Sequence, residues 1–269
     1  MGLFDKLFSK KECAICGGEI GLFGNRKLED GNMCKTCAAK LSPFFSDRRE
    51  STVEEIKEQL AYREANRDAV AALHVTRVMG SGNTKVYIDE DAGKFMVASD
   101  GITKSHQNLL DINPDVIGFE QVTGVELDID EDYDEEKREI KDAEGNTKRV
   151  SYNPPRYTWS YDFHVLLRVN HPYFGEIKFR LNESNVELNP DNPLPQMRKP
   201  DPKKNVDYCF YEDMGKEIKE VLMQARQQVR DEAAAAAAPK AAVTCPYCGA
   251  TTTPDEKGCC EYCGGAVND

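Results

Sequence analysis

The spacing of its cysteines constrains this chain more than any other feature. Near the start, "CAICGGEIGLFGNRKLEDGNMCKTC" separates Cys13 and Cys16 from Cys34 and Cys37 by seventeen residues, the C-x2-C-x15–20-C-x2-C pattern of a four-thiolate zinc site. Near the end, "CPYCGATTTPDEKGCCEYCGGAV" repeats the device with Cys245 and Cys248, then Cys260 and Cys263. Two residues between cysteines let a tight turn aim both sulfurs at one ion, about 2.3 Å from each, and two such turns complete a tetrahedron. Gly17 and Gly18 suit the first turn because glycine tolerates positive φ. The halves of the tail match, Tyr247 with Tyr262 and Gly249 with Gly264. That match favours Cys260 over the adjacent Cys259, although Cys259 also falls within C-x2–4-C spacing and stays open as the ligand.

The expected cofactor is therefore zinc, as two structural ions. Four cysteines close each tetrahedron, which leaves no open position for catalysis, and no βαβ pattern surrounds the pairs to suggest thiol redox chemistry. The tail has little besides Val243, Ala250, Ala266 and Val267 to bury, and so short a segment needs a metal or disulfides to fold. The opening "MGLFDKLFSKK" has neither the apolar length nor the cleavage site of a secretory signal. A cytoplasmic location, with reduced thiols and metal rather than disulfides, is the expectation. No run approaches the roughly 18 apolar residues of a membrane span. The tenth cysteine, Cys209, sits between Tyr208 and Phe210 and reads as a small buried apolar residue.

Net charge is −12, and residues 84–136 carry all of it, with fifteen acidic residues, three lysines and no arginine. Such a surface repels phosphate backbones and anionic lipid, so the middle of the chain is not expected to bind nucleic acid. Residues 1–50 hold nine Lys and Arg against seven Asp and Glu. A four-thiolate zinc site adds two negative charges and cancels that excess. Within "DIDEDYDEEKRE", Asp128, Asp130, Asp132, Asp134 and Glu139 occupy calcium-loop positions, but Tyr133 stands where the sharp turn needs glycine, and a solvated acidic strand is the better reading.

After the first zinc module, "STVEEIKEQLAYREANRDAVAAL" offers a capping box at Ser51/Glu54 or Thr52/Glu55 and predicts a linking helix. The period then changes to two. "TKVYIDE" and "KFMVAS" predict short strands, and Val125, Leu127 and Ile129 alternate with acids. In "YTWSYDFHVLLRV", Tyr157, Trp159, Tyr161, Phe163, Val165, Leu167 and Val169 share one face, answered by Ile177, Phe179 and Leu181 across the turn "NHPYFG". Gly145-Asn146 marks a further hairpin. "LNPDNPLPQMRKPDPKKN" reads as an extended loop with polyproline-ligand character as the alternative. A helix with the stripe Met214, Ile218, Val221, Leu222, Ala225 and Val229 follows, extended by Ala233 to Ala238 and ended by Pro239.

The predicted organisation is a zinc module at 1–50, the linking helix at 51–73, a β-rich domain with its C-terminal helix at 74–232, an alanine-rich linker at 233–242 and a zinc ribbon at 243–269. The fold class is α+β: an antiparallel β-barrel or sandwich capped by the C-terminal helix and flanked by two small zinc-ribbon modules. In element order the centre resembles pleckstrin-homology-like folds, an analogy only. The first 75 or so residues, with "CAICGGEIGLFGNRKLEDGNMCKTC" and "STVEEIKEQLAYREAN", together with "YNPPRY" and "NHPYF", resemble a bacterial family of unknown function. The tail is similar to zinc ribbons that end many bacterial envelope-stress and membrane-scaffold proteins. The resemblance implies zinc and no transferable activity.

None of His74, His106, His164 and His171 lies beside a candidate nucleophile, and no motif requests catalysis. The expected function is thus a non-enzymatic zinc-binding adaptor or scaffold with unidentified protein partners. One alternative is nucleic-acid binding through the N-terminal module. The other is recruitment to a membrane surface through residues 1–11, where Leu3, Phe4, Leu7 and Phe8 accompany Lys6, Lys10 and Lys11.

Overall fold

A computed structural model describes residues 11–81, 83–99, 109–188, 199–237, 242–255 and 257–267. The chain forms two compact units, Met1–Arg226 and Gln227–Asp269. Residues 1–10, and most of the proline-rich loop at 189–198, lie outside the described residues, as does His106.

The first unit opens with two small antiparallel hairpins. β1 (Lys11–Glu12) pairs with β2 (Glu19–Ile20), and β3 (Asn25–Lys27) with β4 (Asn32–Cys34), followed by the short helix α1 (Lys35–Ala38). Their core is Cys13, Ile20, Leu28, Met33, Cys37 and Leu41, joined by Ile56 from α2 (Val53–Ala72). The capping box that starts α2 is Thr52/Glu55. Glu55 Oε2 accepts the Thr52 N–H at 2.7 Å, and Thr52 Oγ1 accepts the Glu55 N–H at 3.3 Å.

α2 buries Ile56, Gln59, Arg63, Asn66 and Val70, an alternation of three- and four-residue steps along one face. Three of its five residues are polar; Arg63 and Asn66 find partners across the fold, while the buried Gln59 amide has none among the described residues. Arg63 Nη1 donates to Asp115 Oδ1 at 2.6 Å, and Ser42 Oγ donates to Asp115 Oδ2 at 2.7 Å. The Asn66 amide donates to Asn113 Oδ1 and to the Pro114 carbonyl, and its oxygen accepts the Val116 N–H. The Asn113 amide returns a bond to the Arg63 carbonyl at 2.8 Å. These buried groups have no water to fall back on, so each must find a protein partner. α2 thus packs on both the cysteine module and the β-rich part and fastens one to the other.

The same fastening includes His171, 8 % exposed and stacked on Phe174 at 3.9 Å between ring centroids. Its Nδ1 accepts the Tyr173 N–H, which leaves Nε2–H facing Tyr62 Oη at 3.0 Å. Burial pushes the imidazole below its ordinary pKa. Asp115 opposes that shift and Arg63 adds to it. The folded state thus favours neutral His171. Its contribution is fully present above the unfolded value of about 6.5 and is lost as pH falls from there through the lower folded value. His171→Phe should keep the stacking and flatten the decline of urea stability between about pH 7 and 5 relative to the wild type. An unchanged pH profile would contradict this.

β5 (Arg77–Met79), β6 (Thr84–Asp89), β7 (Lys94–Ser99) and β8 (Val116–Gly118) form one antiparallel sheet in that order, with the short α3 (Leu109–Ile112) ahead of β8. A second sheet is built on the long hairpin of β9 (Val122–Lys141) and β10 (Thr147–Val169). β11 (Glu176–Arg180) and β12 (Val186–Leu188) pair with the other edge of β10. Trp159, Tyr161, Phe163, Val165, Leu167 and Val169 alternate into the interior, so the two-residue period is realised. Facing them across the ladder, Ile129 opposes Phe163, Leu127 opposes Val165 and Val125 opposes Leu167. Both sheets are open: among the described residues no strand pairs with the outer edge of β9. Closure into a barrel, expected from the strand count, is not what these pairings make.

β11 and β12 pair with β10 only over Trp159–Arg168. Residues 134–141 and 147–158 therefore continue as a two-stranded arm with eight cross-strand pairs, about 25 Å long. Ser151 and Arg156 flank a register shift on β10, and Gly145, at φ +84°, makes the tip turn closed by Asp142. Calcium-loop geometry is excluded here. Asp128 and Glu139 lie on one extended strand, about 36 Å apart, and Asp128 is instead paired with Lys178 at 2.8 Å.

α4 (Val206–Ala237) follows the strands and packs its first half on the second sheet. Tyr208 fits edge-on between Tyr161 and Phe163, with ring centroids 5.0 and 5.1 Å away. Ile218 and Leu222 of the expected stripe are buried. Cys209, read from the sequence as buried, is only partly so and directs Sγ to the Lys203 carbonyl. At Gly215 helix and sheet come so close that a β-carbon would overlap Leu127 Cδ1. Leucine is a good helix former, so Gly215→Leu isolates the packing cost: about 2 kcal/mol of lost stability. Most of that loss should vanish in a Leu127→Ala background, read from a double-mutant cycle in urea.

Candidate metal centres

The sulfurs of Cys13, Cys16, Cys34 and Cys37 lie within 4.8 Å of one another, as do those of Cys245, Cys248, Cys260 and Cys263. None of the ten cysteines is in a disulfide. A tetrahedron with 2.3 Å metal–sulfur bonds has edges of about 3.8 Å. Cys16 and Cys34 sulfurs are 3.8 Å apart, Cys245 and Cys263 3.5 Å, and Cys248 and Cys260 3.7 Å. Each cluster has the size and donor set of a four-thiolate zinc site.

Three of the four half-sites use one turn. Cys13 N–H donates to the Gly18 carbonyl, and Gly17 N–H returns to the Cys13 carbonyl at 2.8 Å, with Gly17 at φ +72°. Cys245 with Gly249 (φ +72°) and Cys260 with Gly264 (φ +69°) repeat the pattern. A side chain at any of these glycines would strain the left-handed backbone. The fourth half-site differs. Cys34 is the N-cap of α1, its Sγ accepting the Cys37 N–H at 3.3 Å, and Cys13 Sγ accepts the Cys34 N–H at 3.2 Å. The first module is thus one knuckle plus one helix start, not the pair of equal turns expected of a ribbon.

The second cluster takes Cys260 and leaves out Cys259. Cys259 N–H donates to Asp255 Oδ1 at 2.8 Å, its carbonyl accepts the Asp255 N–H, and it bridges to Ala266. Its role is in the backbone of the Asp255 turn, with Sγ near the Lys257 carbonyl. Around the cluster, β13 (Val243–Thr244) pairs with β14 (Thr251–Thr252), and the buried apolar core is only Cys245, Cys260 and Val267.

Within each cluster the four thiols do not ionise independently. Burial opposes ionisation of Cys13, yet N–H groups of Cys16, Cys34 and Ile15 bring it down to about 6. Burial and then the neighbouring sulfurs push Cys37 well above the ordinary thiol range. In the tail, burial likewise works against Cys260, but the Cys263 and Tyr262 N–H groups lower it to about 6. The Gly265 N–H favours the Cys263 thiolate, but the Cys245, Cys248 and Cys260 sulfurs hold its proton and raise it to about 12. One thiolate forms easily and disfavours the next, a conflict that a divalent ion bound by all four would relieve.

The other sequence candidates converge on no second site. His164 Nδ1 lies 3.2 Å from Asp130 on the outer face of the hairpin, His74 donates its backbone N–H to Asp89, and His171 belongs to the fastening of α2. Sequence reasoning missed that fastening, because its residues are polar and far apart in the chain. No helix among the described residues is long and apolar enough to cross a membrane.

Residues 11–59 match the family model of DUF4428, a domain of unknown function. The matched span ends inside α2, just past Ile56, the α2 residue that completes the module's core. No curated protein and no solved structure matches the chain.

Proposed function

We propose that the protein is a non-enzymatic, zinc-binding adaptor of the cytoplasm that works through protein–protein contacts. Two structural zinc ions hold its ends, with Cys13, Cys16, Cys34 and Cys37 as ligands of one and Cys245, Cys248, Cys260 and Cys263 of the other. The supporting chemistry is the closed four-sulfur geometry, which leaves no position for a substrate. On this reading the strands followed by a covering helix serve as a pleckstrin-homology-like platform.

The single observation that carries the reading is the β9–β10 arm. An isolated two-stranded ribbon is marginal in water, and among the described residues no strand pairs with either outer edge of this one over 134–141 and 147–158. Near its base, Glu126 and Asp128 are paired with Arg168 and Lys178, whereas Asp132 and Asp134 have no cationic partner among the described residues. Tyr133 and Ile140 are exposed, at 62 % and 41 %. Such an arm gains surface to bury only from another molecule.

The test places a photo-crosslinking side chain at Ile140 of the full chain in its native host. Specific protein adducts are expected at Ile140 and not at the exposed Glu64 of α2. Replacing residues 137–152 by a tight turn should abolish capture of the same proteins. Equal capture with and without the arm would overturn the reading.

A further inference from the structure

The turn between β2 and β3 exposes two adjacent large apolar residues, Leu22 at 79 % and Phe23 at 90 %. Single exposed apolar residues are ordinary, but two adjacent ones at the apex of a tight turn are not. Gly24 N–H donates to the Gly21 carbonyl at 2.9 Å, which closes the turn. Arg26 Nη1 donates to the Phe23 and Asn25 carbonyls at 3.3 and 3.1 Å. The tip is thus braced from behind, and its apolar side chains are held outward instead of folding back on the module.

Positive charge collects behind that tip. The one-turn helix Asp47–Arg49 packs against β3, and Arg48 Nη1 donates to the Lys27 carbonyl. Burial lowers the Arg48 pKa, Arg49 and Arg26 lower it further, and Glu50 opposes them. Within residues 25–29 and 47–50, Arg26, Lys27, Arg48 and Arg49 stand against Glu29, Asp47 and Glu50, four cations to three acids in a chain whose net charge is −12.

We propose that this tip is a membrane-surface contact, in which Leu22 and Phe23 enter the headgroup–acyl boundary of an anionic bilayer while Arg26, Lys27, Arg48 and Arg49 engage its lipid headgroups. A convex tip of two apolar side chains has no use for a flat protein face, which would need a pocket to receive it. A bilayer needs none. The combination of a small apolar wedge and flanking cations is what anionic interfaces bind. Single-stranded nucleic acid would use the cations and could stack on Phe23, but it offers Leu22 nothing. The proposed contact uses no residue of 1–10, and it stands or falls independently of the β9–β10 arm.

The test is sedimentation of the full, tag-free chain with vesicles of phosphatidylserine and phosphatidylcholine, beside vesicles of phosphatidylcholine alone. Binding is expected on the anionic vesicles, weakening as salt is raised. Leu22→Ser with Phe23→Ser should lower the partition coefficient about tenfold. Arg26→Gln with Arg49→Gln should also lower it on anionic vesicles. Phe23→Trp should bind as the wild type does, and its emission should be quenched by brominated acyl chains, a readout that folding defects and protein or RNA binding do not produce. No binding to anionic vesicles at low ionic strength would overturn the proposal. So would equal partitioning of the Leu22/Phe23 variant, which would put any contact elsewhere, for instance in residues 1–10. Binding to single-stranded RNA that follows the arginines alone, without quenching by brominated lipid, would also overturn it.

Discussion

Replacing Cys37 by serine is expected to loosen the first unit well beyond the residues around the cluster. Cys37 is buried in the module core beside Ile56, the α2 residue that the core shares with the helix. Seven residues further along the same face, Arg63 holds Asp115. On the proposed reading, metal bonds supplement the small apolar core of this module, and structural zinc sites contribute about 10–16 kcal/mol of apparent binding energy to folding. Losing one of four thiolates should therefore destabilise the unit by about 3 kcal/mol or more. Amide hydrogen exchange is the measurement. Protection should fall through 13–41, along 53–72, and at 113–116, where the Asn66 contacts lie. Chelation should reproduce that pattern. Cys260→Ser, by contrast, should raise exchange in 243–267 and leave α2 as it was. If exchange in the Cys37 variant rises only within 13–41, α2 does not couple the module to the sheets.

The second large effect is expected at Arg63 and Asp115, whose side chains are 7 % and 1 % exposed. Arg63→Ala strands a buried carboxylate, and Asp115→Ala strands a guanidinium together with the Ser42 hydroxyl. Leaving one partner of a buried pair uncompensated costs about 3–5 kcal/mol. Replacing both, as Arg63→Met with Asp115→Leu, removes the stranded charge and should cost much less than the two single losses added. Urea unfolding followed by Trp159 fluorescence reads each stability, because Trp159 is buried in β10 and is the only tryptophan. Equal losses for the single and the double variants would show that the pair is not what holds α2 in place.

Those two expectations mark where the sequence was readable and where it was not. The sulfur clusters were legible because spacing alone sets which thiols a turn can aim at one ion. The glycine at position five of a knuckle was legible too: Gly17, Gly249 and Gly264 all follow a second cysteine and all have positive φ. The same rule held the signal for the odd half-site, since "CKTCAAK" has alanine there, and the chain turns into a helix instead. The hairpin register was visible in Val125, Leu127 and Ile129 set against Phe163, Val165 and Leu167. Sheet closure was not, because pairing between distant strands leaves no local period.

The buried face of α2 was the largest omission, and its cause is chemical. Apolar periodicity sees Ile56 and Val70 but is blind to Gln59, Arg63 and Asn66 between them, although their spacing is as regular. The partners of Asn66 and Arg63, Asn113 and Asp115, stand 47 and 52 residues away in the chain. A polar stripe of this kind declares itself only when both sides are in view.

The most direct test of the account is elemental analysis of purified, tag-free protein, wild type beside Cys259→Ser and Cys260→Ser. The account predicts two zinc ions per chain in the wild type and in Cys259→Ser, and about one in Cys260→Ser, with the tail alone losing protection. Far fewer than two ions in the wild type, or termini that stay folded after chelation, would contradict the claim that metal–thiolate bonds hold both ends of this protein.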